Sequence, residues 1–80
     1  MERRLDNFMT KIIYNYSKLL GLMREKNLTQ SELAKIVGIS EVSLNFKLNN
    51  KSSFKQNEIA KICEVLSIPS DKLTVYFFDK

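Results

Sequence analysis

The densest run of residues able to meet another molecule lies between Thr29 and Asn49. Thr29 and Glu32 have capping-box spacing, in which each side chain satisfies a backbone N–H of the other. They open a helix whose inner face is Leu33, Ala34 and Val37. Gly38 supplies the positive φ that stops this helix. Ile39 turns back to the core, and Ser40 caps another helix only two residues after the glycine. In that helix, from Glu41 to about Leu48, Leu44 and Leu48 lie four apart and face inward. Val42, Asn45, Phe46 and Asn49 then point largely the other way. On such a face Glu41 can accept from a cytosine amino group, Asn45 can pair with an adenine edge, and Val42 or Phe46 can press on a thymine methyl. The same residues have plainer uses. Glu41 complements a helix dipole as a first-turn acid, and an outward Phe46 suits a protein contact.

Catalytic chemistry has little to work with. The 80-residue chain has no histidine and a single cysteine, Cys63. This excludes histidine metal sites, histidine general bases, His-paired nucleophiles and an internal disulfide. Cys63 lies in an apolar stretch and reads as a small core residue. Glu25, Glu32 and Glu64 are spread over helix surfaces with no base or metal ligand to pair with. No enzyme, metal, cofactor or small-molecule ligand is expected. Lys and Arg number 13 against 9 Asp and Glu, for a formal charge of +4. That balance is compatible with a phosphate backbone as partner and equally with an ordinary basic domain. No run approaches the ~20 apolar residues of a membrane span, and no secretory h-region is present. A cytoplasmic location in a bacterial host cell is the expectation.

The remaining elements must position the Thr29–Asn49 segment. At 44% hydrophobic residues, with two glycines and one proline, the chain is too apolar for disorder and too poor in turn residues for a many-stranded fold. Ser17 is expected to cap a first helix bearing Leu19, Leu20, Leu22 and Met23, ending near Lys26 and Asn27. Asn49 to Ser53 forms a polar loop. A helix with the stripe Ile59, Ile62, Cys63 and Leu66 follows; Ser53 with Gln56 fits a capping box at its start, whereas Lys55 is a poor cap. Ile68-Pro69 ends it. Ser70 and Asp71 begin a short last helix through Leu73. Residues 1–16 form an arm, in which Leu5, Phe8, Met9, Ile12 and Tyr16 have helical spacing although Lys11–Tyr16 could run as a strand. Residues 17–74 form the domain, and residues 75–80, with Val75, Tyr76, Phe77 and Phe78, an apolar tail.

Two short helices nested through a glycine turn make a helix-turn-helix. Ala34 is small where the helices approach, and Ile39, Leu44 and Leu48 fill the wedge between them. With Leu28-Thr29-Gln30-Ser31-Glu32-Leu33-Ala34, Val37-Gly38-Ile39-Ser40, Leu48-Asn49 and the run Glu58 to Ile68, the chain from Leu19 through Leu73 resembles the Cro- and repressor-like (XRE-type) helix-turn-helix family. The ending Tyr76-Phe77-Phe78 is similar to small temperate-phage Cro-like proteins. The resemblance implies an all-α, compact five-helix lambda-repressor-like domain that binds double-stranded operator DNA, usually as a homodimer, to regulate transcription. It implies base contacts from Glu41, Val42, Ser43, Asn45 and Phe46. It implies phosphate contacts from Thr29, Gln30, Asn49, Lys51, Ser52, Ser53 and Lys55, with Lys47 adding positive charge to the same surface. The pattern departs from the family at Asn50, in place of a glycine whose backbone Asn also tolerates, and at Lys47, in place of an aliphatic residue, which leaves the roll of the helix open. The arm and the tail are the candidate dimer surfaces. The alternative is a protein-interaction module on the same fold (an anti-repressor, antitoxin or inhibitor), suggested by Val42 and Phe46 beside Glu41.

Overall fold

A computed structural model describes residues 13–80. Its elements are α1 (Ser17–Glu25), α2 (Gln30–Val37), α3 (Glu41–Leu48), α4 (Gln56–Leu66), a 3-10 turn (Ser70–Lys72) and α5 (Leu73–Phe77). The described residues are all helical or loop, as composition and periodicity predict. The arm's first twelve residues lie outside them.

The core assembles from one stripe of each helix. Leu19 and Met23 come from α1, Leu33, Ala34 and Val37 from α2, Leu44 and Leu48 from α3, and Ile62 and Leu66 from α4. Tyr16, Ile68 and Phe77 complete it. Ile59 and Cys63 are half-buried against this core, and so is Ile39 in the turn. Cys63 lines an apolar groove with Phe54, Ile59, Ile68, Leu73 and Phe78, and burial holds its thiol above the usual range.

Several ends are built differently from the expectation. Ser17 is the first residue of α1 and makes no capping bond; the Asn15 side-chain oxygen instead accepts from the Ser17 N–H at 2.9 Å. Asn27 takes the left-handed conformation (φ 57°) expected after α1. At α4 the residue before the helix is Lys55, not Ser53. The Glu58 carboxylate accepts from the Lys55 N–H at 2.8 Å, the half of a capping box that needs nothing from the lysine side chain, while the Glu58 N–H donates to the Lys55 carbonyl at 3.0 Å. The apolar ending is not a tail through Phe77. It continues the 3-10 turn as α5, and Phe77 is only 1% exposed. An apolar aromatic of this size gains more by filling the space between α1 and the loop before α4 than by lying on a surface.

Aromatic rings tie the described start of the chain to this corner. Tyr14 meets Phe78 edge-on at 5.6 Å, Tyr16 meets Phe54 at 5.5 Å, and Phe54 meets Phe77 at 5.5 Å. Such edge-to-face pairs are favoured by the ring quadrupole. Asn50 supplies a polar clamp beside them. It sits at φ 63°, and its amide both accepts from the Tyr14 N–H and donates to the Tyr14 carbonyl, each at 2.9 Å. A glycine at position 50 would allow the same backbone but provide no clamp.

The turn that separates α2 from α3 depends on Gly38, at φ 90° and ψ 29°. An added Cβ there would meet nothing within 4 Å, so the cost of a side chain is purely conformational. Gly38→Ala is expected to destabilise the fold by about 1–2 kcal/mol, and Gly38→Asn by less. Urea unfolding checks this, with an unchanged m-value confirming that the fold itself is retained.

Candidate interaction face on the third helix

The face is presented by the paired helices α2 and α3. Thr29, extended before α2, accepts from the Glu32 N–H at 3.1 Å, while the Glu32 carboxylate accepts from the Thr29 N–H at 2.9 Å and from its hydroxyl at 3.1 Å. The Gly38 and Ile39 N–H groups both reach the Ala34 carbonyl, at 2.8 and 3.0 Å. Ser40 then accepts from the Ser43 N–H at 3.0 Å and starts α3. Both caps stand where their spacing placed them.

With Leu44 and Leu48 inward, α3 turns Glu41, Val42, Asn45 and Phe46 to solvent. Val42 is 64% exposed and Phe46 46%, one helical turn apart. Ser43 is half-buried at the edge. Asn45 donates to the Gln30 side-chain oxygen at 3.3 Å, linking the start of α2 to the middle of α3. The Asn49 amide folds back onto the Asn45 carbonyl at 2.8 Å. Lys51 lies over the Phe46 ring, its ammonium 5.7 Å from the centroid, within reach of a cation–π attraction. Ser52, Ser53 and Lys55 are exposed along the loop before α4. The structure thus brings Glu41, Val42, Asn45, Phe46, Asn49 and Lys51 onto one surface, with Gln30 at its edge. Thr29 is occupied with capping.

Lys47 is the correction. It was expected to add positive charge to this surface, yet it is 6% exposed. Its ammonium lies 3.6 Å from the Glu58 carboxylate and donates to the Ser53 carbonyl at 3.1 Å. The spacing explains this: Lys47 is three residues after Leu44 and next to Leu48, on the inner side of the helix. Glu58, itself buried, was not singled out from sequence; its position three residues after Lys55 was the available signal. The outward face therefore has one acid at its N-terminal end, an apolar centre and a cation, Lys51, at its far end.

Glu32 gives the segment a pH response. Its carboxyl is held below the usual glutamate range, first by the Thr29 backbone N–H and then by the Thr29 hydroxyl, with Lys35 a smaller contribution. A carboxyl depressed on folding adds stability that is present above the unfolded glutamate value of about 4.3 and is lost as pH falls through the folded one. Chemical denaturation followed downwards from pH 5 should therefore show a steeper acid loss in the parent than in Glu32→Gln. Equal slopes would mean that this box contributes no proton linkage.

Comparison with known proteins places this geometry. Residues 12–80 match the family described as "Protein of unknown function (DUF739)". No curated protein matches the chain significantly. Among solved structures, the chain is similar to the modulator of repression (MOR) of the temperate bacteriophage TP901-1 from Lactococcus lactis, determined in solution. The two share 42% sequence identity over 81% of this chain and 88% of that one, with a TM-score of 0.69. The solved neighbour is named for regulation rather than catalysis. The family match spans most of the sequence, α2 and α3 included, and the chain belongs to the DUF739 family.

Proposed function

We propose that this chain is a phage regulatory protein that modulates repression by docking a protein partner on the outward side of α3. The observation that carries the reading is the exposed pair Val42 and Phe46 on a face whose nearest inward neighbour, Lys47, is neutralised by Glu58. Apolar and aromatic side chains gain most where a partner desolvates them completely, and such anchors dominate protein interfaces. A duplex groove is lined by phosphates, and a surface facing it gains from several accessible cations. Here Glu41 stands at the start of the helix, and the described cation touching the face is Lys51. The name of the solved neighbour, a modulator of repression, supports a role exerted on a repressor.

The operator-reading alternative keeps a specific basis. The Gly38–Ile39–Ser40 turn between two capped helices supports reading the segment as a helix-turn-helix of the Cro- and repressor-like kind. Lys51, Lys55, Ser52 and Ser53 border the face, and the chain carries a net +4. In that reading Glu41, Val42, Ser43, Asn45 and Phe46 meet bases, while Thr29, Gln30, Asn49 and the loop residues hold phosphates. A homodimer would form through Val75 and Phe78, which remain exposed beside the buried Phe77.

Two measurements separate the readings. A gel shift against the chain's own upstream DNA at low salt is expected to show no sequence-specific band. Binding to the repressor acting at that DNA is expected to fall about 30-fold with Phe46→Ala and to be unchanged with Lys55→Ala. A specific shift that Lys51→Ala weakens uniformly, and that Asn45→Ala or Val42→Ala redirects to other sequences, would give the function to operator binding.

A further inference from the structure

The face depends on which side of α3 points outward, and apolar burial selects that side weakly. Val42 and Phe46 form one apolar stripe and Leu44 and Leu48 another, on roughly opposite sides of the helix. Both stripes are apolar, so hydrophobicity alone separates them weakly. The observed roll buries Leu44 and Leu48 and leaves Val42 and Phe46 in solvent. Beyond the constraint of the short Gly38–Ser40 turn, a directional contact can favour it.

We propose that the buried pair Lys47–Glu58 is the positioning device that sets the roll of α3, and so determines which stripe a partner meets. One ion pair and two hydrogen bonds converge here. The Lys47 ammonium is 3.6 Å from Glu58 Oε1 and donates to the Ser53 carbonyl at 3.1 Å. The same Glu58 oxygen accepts from the Lys55 N–H at 2.8 Å. One lysine thereby connects α3, the loop that follows it and the first turn of α4. Side-chain exposures of 8% and 6% place both charges out of bulk water, where an unpaired charge is strongly disfavoured. Rolling α3 by half a turn would strip Glu58 of its cation and Ser53 of its donor while exposing Leu44 and Leu48. The pair acts by geometry, since a buried ion pair adds little net stability over apolar residues of similar size. It is the helix-roll counterpart of a single polar residue that fixes coiled-coil register.

The inference rests on the reading of α3's outward side as the working surface, and its test does not need the partner. The variants are Glu58→Gln, Lys47→Met and the double Lys47→Met/Glu58→Gln, in which glutamine can still accept from the Lys55 N–H. Glu58→Gln leaves an ammonium buried without its counter-charge, and its Tm should fall by more than about 10 °C. Lys47→Met should fall less, because Glu58 keeps its bond to Lys55 and its favourable place in the first turn of α4. The double variant should recover to within about 5 °C of the parent.

Orientation is read separately, from residual dipolar couplings and line widths of the α3 amides. The double variant and Lys47→Met should both show altered couplings or exchange broadening confined to α3, and at least tenfold weaker capture of the repressor. Parent-like α3 couplings in Lys47→Met overturn the proposal, whether or not the double variant folds. If the parent protein captures no repressor, the docking reading fails while the measured roll still decides this one.

Discussion

Two amide N–H groups, those of Gly38 and Ile39, converge on the carbonyl of Ala34, and the rest of the molecule is arranged around that point. The convergence ends α2 after eight residues and redirects the chain within three. Only a residue at ease with positive φ can occupy the first position. Only a small side chain can sit beneath the turn where α3 crosses back, and Ala34 is 2% exposed there. α1, α4 and α5 then act as a frame. α4 packs on α2, and α5 packs on α1.

Much of this was legible because it is local. A capping box is four residues long, and Thr29 with Glu32 states it outright. Gly38 marks a helix end whatever surrounds it. The inner faces of α2 and α3 follow from periodicity, and the two helices formed where that pattern put them. Features requiring knowledge of a distant partner were harder to see. Lys47 has the spacing of a core residue and the chemistry of a surface one, and only Glu58, eleven positions on, resolves the conflict. Phe77 looked like a tail because nothing near it in sequence reveals the space beside Phe54 that it helps to fill. Asn50 was correctly matched to its backbone conformation, but its hold on Tyr14 spans 36 residues and leaves no local pattern. For the outward side of α3, periodicity placed Val42, Asn45 and Phe46 together; it did not show that the positive charge expected beside them had turned inward.

That inward turn changes the character of the face. A lysine on the outer side of α3 would have made it a mixed polar surface with obvious affinity for phosphate. With its charge matched internally, the outer side becomes apolar at the centre, and the polar groups around it are largely engaged with one another. Asn45 is tied to Gln30, and Asn49 to Asn45. Lys51 shields one side of Phe46. Side chains held by such contacts lose less entropy when a surface of this kind is covered.

Cys63 has a practical consequence of a different kind. Disulfide exchange requires the thiolate, and packing against the apolar groove favours the protonated form of this sulfur. Air oxidation should therefore be a slow route to covalently joined copies.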